Sequence, residues 1–94
     1  MILGYRDART ERFANGERVK QFESFRRKAE MVLDRLEVAA GLRDVAGFPG
    51  HRLEKLKGDR KEQWSVRIND QWRICFEWQD GAAGPSNVEI VDYH

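Results

Sequence analysis

The hydrophobic residues of this chain change their spacing once, from the period of a helix to the period of a strand. Between about Val19 and Ala40 they recur every three or four residues, at Phe22, Phe25, Ala29, Val32, Leu33, Leu36 and Ala40. From Trp64 to Trp78 apolar and polar residues alternate instead. One element cannot satisfy both periods, because side chains share a face every 3.6 residues in a helix and every two in a strand. The chain therefore combines a helical segment with a separate sheet.

Flanking signals divide the first half further. The opening segment MILGYRD is short, apolar and compatible with a strand. Thr10 is a candidate N-cap of a first helix, and Asn15–Gly16 is a stop signal. Gly41 lies where a glycine would end the long helix. The next segment, GLRDVAGFPG, predicts a connector without regular structure.

The second half predicts strands. In WSVRI and WRICFEW one face of each strand is apolar, formed by Trp64, Val66, Ile68, Trp72, Ile74, Phe76 and Trp78. The turn signal at Asn69–Asp70 between them predicts a hairpin. RLEKL before this pair and VEIVDY after it predict additional strands.

Together these segments predict an α+β fold: a small, mostly antiparallel β-sheet with two N-terminal helices packed on one face, in the order β-α-α-β-β-β. We expect residues 1–94 to form one domain. The apolar sheet face should contact the helices, and the face carrying Arg67, Arg73 and the end of the last strand should look outward.

Several classes of protein are excluded or disfavoured. The chain has no apolar run of the roughly 18 residues that span a membrane and no N-terminal signal segment, so we expect a cytoplasmic protein. Cys75 is the only cysteine, which excludes an internal disulfide and a cysteine-based zinc site. It alternates with core positions, so we expect a structural thiol. His51 and His94 are far apart, and neither a metal nor another cofactor is expected.

Charge is unevenly distributed although the net charge is only +1. Residues 51–73 hold seven Lys or Arg against four acids, whereas residues 74–94 hold four acids and no Lys or Arg. A local excess of this kind can bind a polyanion, although a solvated surface is the alternative. Lys55, Arg60 and Arg67 are the candidates for such contacts, and the chemistry described next indicates RNA as the polyanion.

The remaining polar residues suit cleavage of RNA without a metal. Attack by the 2′-OH needs a group that accepts its proton, a group that protonates the leaving oxygen, and cations that stabilise the charged intermediate. Asp92 and His94 can supply the acid and the base, and Lys57 and Arg73 the cations. Tyr93 can stack on a base or donate a hydrogen bond.

Two segments carry a family resemblance. RLEKLKGDRKEQWSVRINDQWRICFEW, followed by VEIVDYH, resembles the HigB toxins of host-inhibition-of-growth toxin–antitoxin modules, within the RelE/ParE superfamily. The resemblance implies a ribosome-dependent mRNA endonuclease that cuts messages in the A site without a cofactor. It also implies a helix-turn-helix antitoxin of the HigA type, and an antitoxin complex that binds operator DNA.

Carried over residue by residue, the resemblance places Lys57, Arg73, Asp92, Tyr93 and His94 in the active site. The chain departs from the family at one position, because a well-studied branch has a histidine where Glu54 stands here. Glu54 is therefore a further candidate for proton transfer, and the general base is open among three residues: Glu54, Asp92 and His94.

His51 lies three residues before Glu54 and should face the other way on a strand, so it is not a simple substitute for the missing histidine. At the other end of the chain, an α-carboxylate on His94 would favour the imidazolium form and an acid role for that residue.

Two other functions remain open. A toxin on the same fold can inhibit DNA gyrase, as in the ParE branch, which lacks this set of catalytic residues. A toxin with weak catalysis can act mainly as an antitoxin-bound co-repressor, an alternative that the departure at Glu54 sustains.

Overall fold

A computed structural model describes residues 1–92. The helices are α1 Ala8–Ala14, α2 Arg26–Val38 and α3 Leu42–Ala46, with short 3₁₀ helices at Lys20–Phe25 and Gly58–Arg60. The strands are β1 Glu54–Lys55, β2 Trp64–Arg67, β3 Trp72–Glu77 and β4 Ser86–Asp92. They form one antiparallel sheet in the order β1-β2-β3-β4. The predicted α+β class, with helices packed against a small antiparallel sheet, is confirmed.

The long helical segment is divided at Phe25. A 3₁₀ helix precedes it, and α2 begins only at Arg26. Residues three apart lie above one another in a 3₁₀ helix, so the rings of Phe22 and Phe25 face the same way. Both contact Trp72 of β3, with ring centroids 5.8 and 5.1 Å away. The tighter turn thus lets two aromatic side chains pack on one sheet residue.

The N-terminal segment joins the sheet at a single point. Tyr5 forms an isolated parallel bridge with Val88 of β4, and the Arg6 amide donates to the Val88 carbonyl over 3.0 Å. A full first strand does not form in residues 1–7. The predicted strand is therefore reduced to a bridge, because Asp7 already caps α1.

The sequence predicted Thr10 as the N-cap of α1, and this prediction is wrong. The cap is Asp7, whose Oδ1 accepts a 2.8 Å hydrogen bond from the Thr10 amide. Thr10 is instead fully buried, and its Oγ1 accepts a 3.1 Å hydrogen bond from the Ile90 amide of β4. Its hydroxyl fastens the first helix to the last strand.

The predicted connector contains a short helix. Gly41 precedes α3 rather than ending α2, whose C-cap is Ala39. The side chain of Asp44 accepts a 2.8 Å hydrogen bond from the Ala40 amide and closes the junction. The prediction that this connector lacks regular structure is wrong. Val45 is buried in the core, and this tertiary packing outweighs the low helix propensity of the surrounding glycines.

The predicted hairpin between β2 and β3 is confirmed. Asn69 Oδ1 accepts hydrogen bonds from the amides of Gln71 and Trp72, over 2.8 and 2.7 Å. This arrangement sets a register in which Arg67 pairs with Arg73. Along that register the apolar residues of both strands share one face.

That apolar face, the inner face, packs against the helices. It contributes Val66, Ile74, Phe76, Val88 and Ile90 to the hydrophobic core. Trp64, Trp72 and Trp78 pack against the core while partly buried, as the sequence predicted. The opposite, outer face carries Ser65, Arg67, Arg73, Cys75 and Glu89. No helix among residues 1–92 is long and apolar enough to cross a membrane.

The Thr10 contact gives a stability prediction. Thr10→Val should lower the free energy of unfolding by about 1–3 kcal/mol, because it leaves the buried Ile90 amide without an acceptor. Thr10→Ser keeps the acceptor and should lose less. Urea unfolding followed by circular dichroism measures both, and equal stability of the two variants would contradict this role of the hydroxyl.

Candidate active site on the outer face

Arg73 is the most firmly held cation of the outer face. Its Nε donates to Ser65 Oγ over 2.9 Å, and its Nη2 donates to the Arg52 carbonyl over 3.1 Å. The same Nη2 lies 3.7 Å from Oε1 of Glu54. The Arg73 side chain is only 16% exposed. A guanidinium fixed at two of its nitrogens keeps its plane and direction.

Strand register explains this arrangement. Ser65 pairs with Cys75 and with Glu54, so the serine of β2 lies on the same face as the carboxylate of β1. Arg73 stands diagonally to Ser65 across the β2–β3 ladder, a distance that long side chains span. Two chain segments thus supply the three partners of a single guanidinium: β2 provides Ser65, and residues 52–54 provide the Arg52 carbonyl and Glu54.

Arg67 is the direct neighbour of Arg73 across the same ladder. Two like charges opposite each other disfavour a strand pair, and Asp70 in the hairpin turn offsets this cost through an ion pair with Arg67 Nη2. The outer face therefore carries two adjacent guanidinium groups, and each one lies beside a carboxylate.

The outer face is partly covered, contrary to the expectation that it would look outward. Arg60, from the 3₁₀ helix between β1 and β2, reaches Glu89 of β4, with 3.4 Å between Nη1 and Oε1. The same nitrogen donates to Gln63 Oε1 over 2.9 Å. Beneath this bridge Cys75 and Ser65 are fully buried. Among the described residues, every buried side-chain nitrogen and oxygen has a hydrogen-bond partner.

Cys75 is a structural thiol. It has no exposed surface, and burial raises its pKa to about 11 despite the nearby guanidinium of Arg60. A thiol with so high a pKa holds almost no thiolate near neutral pH, and the thiolate is the nucleophile.

The other basic candidates are placed differently. Lys57 is exposed and immediately precedes the 3₁₀ helix Gly58–Arg60. Lys55 pairs with Trp64, and its Nζ lies 4.9 Å from the centre of that indole ring. Lys55 therefore belongs to the inner-face side of the sheet. Glu54, with a side chain 61% exposed, is the carboxylate that lies beside Arg73.

The register of β3 and β4 places Asp92 away from Arg73 and its hydrogen-bond partners. It pairs with Trp72 at the end of β4, so it lies on the inner-face side, while Val91 is the residue that pairs with Arg73. Its Oδ2 accepts a 2.8 Å hydrogen bond from Gln71 Nε2. Tyr93 and His94 lie outside the described residues.

His51 is a buried polar residue that contacts two helices. Its ring Nδ1 lies 3.0 Å from the Val45 carbonyl of α3, and its Nε2 lies 3.2 Å from Nη1 of Arg35 in α2. The carbonyl can only accept and the guanidinium can only donate, so the ring is neutral and carries its proton on Nδ1. Burial lowers the pKa of His51, and Arg35 lowers it further.

His51 therefore does not take the place of the missing family histidine, in agreement with the prediction. Two partners of Arg73, the hydroxyl of Ser65 and the carbonyl of Arg52, were not predicted. Alternation alone could have placed Ser65 on the outer face with Arg73. Among residues 1–92 no group of three or more His, Cys, Asp or Glu side chains is arranged to hold a metal ion.

The described site combines a fixed cation with an accessible carboxylate. Arg73 can stabilise negative charge on a bound phosphate without reorganising, since its direction is already set. Glu54 can exchange a proton with a substrate because most of its side chain is exposed. Such a site is suited to an anionic substrate that loses or gains a proton as it reacts.

Comparisons with known proteins place this chain among bacterial toxins. A family model described as "RelE-like toxin of type II toxin-antitoxin system HigB" matches residues 3–94. Toxin HigB-1 of Vibrio cholerae is 41% identical over 51 residues, which cover 54% of each chain. Endoribonuclease HigB of Proteus vulgaris is 43% identical over 44 residues, or 47% of this chain and 46% of that protein.

In these matches the chain spans about half the length of each curated relative. Among solved structures, a YoeB/ParE toxin from Agrobacterium tumefaciens has a TM-score of 0.42 and 20% sequence identity, over 79% of this chain and 86% of that one.

Burial of Cys75 leads to a chemical prediction. At pH 8 the native thiol should react with a disulfide reagent about 100-fold more slowly than the unfolded one, because the rise of the pKa from 9.0 to about 11 leaves far less thiolate. Absorbance of the released thiol measures both rates, with protein unfolded in guanidinium as the control. Equal rates would show that the outer face is open at Cys75.

Proposed function

The chain belongs to the HigB family of RelE-like toxins of type II toxin–antitoxin systems, and on that premise we propose that it is an mRNA endonuclease. It cuts messages in the ribosomal A site by acid–base catalysis through the RNA 2′-OH, and it thereby stops translation. It acts in the cytoplasm and needs no metal or other cofactor for this chemistry.

The observation that carries the proposal is the fixed guanidinium of Arg73. Cleavage through the 2′-OH develops extra negative charge on the phosphate, and a cation that is already oriented stabilises this charge most effectively. Ser65 and the Arg52 carbonyl hold Arg73 in place. Exposed Lys57 supplies a second cation for the message.

Glu54 is the proposed proton acceptor among the described residues. It lies 3.7 Å from Arg73 and is largely exposed, so a 2′-OH next to the bound phosphate lies within its reach. Asp92 lies on the other side of the sheet by register. We assign the acid role to His94, and Tyr93 stacks on a base of the message.

Arg67 completes the basic surface that binds the RNA backbone. It pairs with Arg73 across the ladder, so both guanidinium groups can contact successive phosphates. Arg60 extends this surface at its bridge to Glu89. Lys55 lies on the inner-face side of the edge strand β1, so it binds the message where the RNA passes that edge of the sheet.

Membership of a toxin–antitoxin family supports the existence of an antitoxin partner for this chain. We propose that the partner is an antitoxin of the HigA type, with a helix-turn-helix, that neutralises the toxin and takes it to operator DNA.

The function is tested by expression in a bacterial host. The wild-type chain should arrest growth, and primer extension should show cut messages that stay intact when their translation is blocked. Cleavage of free RNA at the same rate would contradict the ribosome requirement. Linearised plasmid with intact messages would favour gyrase inhibition instead.

Substitutions at Arg73 test the site itself. Arg73→Ala and Arg73→Lys should each lower the cleavage rate roughly 100-fold, because lysine lacks the planar fork that two partners hold. Arg18→Gln is the matched control, since Arg18 has an 80% exposed side chain and contacts Glu23. Full activity of both Arg73 variants would exclude this residue from catalysis.

A substitution at Glu54 identifies the proton acceptor. Glu54→Gln keeps the shape of the side chain and removes its basicity, so it should lower the cleavage rate roughly 100-fold or more if Glu54 accepts the 2′-OH proton. Single-turnover cleavage on translating ribosomes measures it. An unchanged rate would assign the base to Asp92 or His94.

A further inference from the structure

The backbone next to His51 contacts both arginines of the outer face. The His51 carbonyl accepts a 2.7 Å hydrogen bond from the Arg67 amide, and the next carbonyl, that of Arg52, accepts the bond from Arg73 Nη2. Glu54, which lies beside Arg73, follows two residues later. One short segment, residues 51–54, therefore sets the position of the cation and of its carboxylate.

This segment is held in an uncommon conformation. Arg52 has φ of +48°, in the left-handed region that residues other than glycine seldom adopt. A strained backbone of this kind persists only where surrounding contacts fix it. The fixed neighbour of Arg52 is His51, which is 1% exposed.

The contacts of the imidazole supply that fixation. The ring is hydrogen-bonded to the Val45 carbonyl and to Arg35, and it lies 5.3 Å from the ring of Phe48. Arg35 in turn lies over Phe48, with its Cζ 4.4 Å from the ring centre. The imidazole thereby ties residue 51 to α2 and α3.

We propose that His51 is a positioning residue for Arg73: the ring, held by the Val45 carbonyl and Arg35, fixes the backbone whose carbonyls accept from the Arg67 amide and from Arg73 Nη2. The proposal rests on the proposed function and deepens it. His51 touches no reacting group in this scheme, since it acts only through the backbone of residues 51 and 52.

Protonation of His51 would undo this arrangement. With both ring nitrogens protonated, Nε2 would point a hydrogen at the Arg35 guanidinium, and its acceptor role would be lost. The charged groups that act on the ring are Arg35 and Lys28 of α2, and both are cations. α3 contributes the neutral Val45 carbonyl and β2 the Arg67 amide.

The sign of the pH dependence follows. Burial and the two cations lower the pKa of His51 from its ordinary value of 6.5. As the pH falls below 6.5, the unfolded chain binds the proton before the folded one does. His51 therefore makes its full contribution to the free energy of unfolding above pH 6.5. This contribution is lost as the pH falls through the pKa that His51 has in the folded chain.

A titration followed by NMR tests the proposal on the full chain. The Arg73 Nε–H resonance is assigned by its loss in Arg73→Lys, and the His51 ring signals are assigned in the wild type by their nuclear Overhauser effects to the Phe48 ring, 5.3 Å away. In the wild type, the Arg73 resonance should shift with the same midpoint as the His51 ring, at a pH below the ordinary value of 6.5.

His51→Asn is the matched variant because its amide can still donate to the Val45 carbonyl but cannot titrate at this pH. Its Arg73 resonance should stay in place. A wild-type resonance that ignores the His51 titration would overturn the proposal. So would a shift of equal size in His51→Asn. The wild-type titration decides the matter even if the variant does not fold.

An activity measurement separates this proposal from the nuclease function. As the pH is lowered, the ratio of wild-type to His51→Asn cleavage rates should fall, and any titration of His94 cancels because both proteins contain it. A constant ratio would overturn the positioning role. If wild type and Arg73→Ala both leave translated messages intact, the nuclease function fails, whereas the NMR result still decides the role of His51.

Discussion

The pairing of Arg67 with Arg73 across the β2–β3 ladder is the constraint on which the rest of the molecule depends. In this register the odd-numbered residues of both strands share the outer face, and the even-numbered residues share the inner face. A register shift of one residue would pair apolar side chains with polar ones, and it would move the apolar side chains of one strand from the core to the outer face. Asn69, by accepting two amides in the turn, fixes the turn length that this register needs.

The same register also brings the candidate site residues together on the outer face of the sheet, opposite the core. Ser65, Glu54 and Arg73 meet because β1 and β3 flank β2, and Arg60 then covers the part of the face next to Glu89. The result is a polar layer in which buried groups are paired and two guanidinium groups keep fixed directions. Paired polar groups in low-dielectric surroundings are rigid, and rigidity is what a cation needs to stabilise charge during a reaction.

The sequence predicted the elements that patterning controls. The helical stripe, the hairpin and the aromatic inner face follow from periods of 3.6 and two, and each is present in the structure. The errors lie where a tertiary contact took over a local signal. Thr10 suits an N-cap but is buried against β4, and residues 42–46 form a helix because Val45 enters the core despite flanking glycines. Asp92 belongs to the right strand, yet its register places it away from Arg73.

By itself the sequence determined the division into helix and sheet, the faces of the strands, and the motifs that identify the family, because these depend on residue type and spacing along the chain. The tertiary structure alone decided which groups hold Arg73. One of them is the carbonyl of Arg52. Every residue has a backbone carbonyl, so the sequence cannot indicate which carbonyl accepts this hydrogen bond. Another, His51, acts through contacts with α2 and α3 that are 16 and 6 residues away, and only folding brings those partners together.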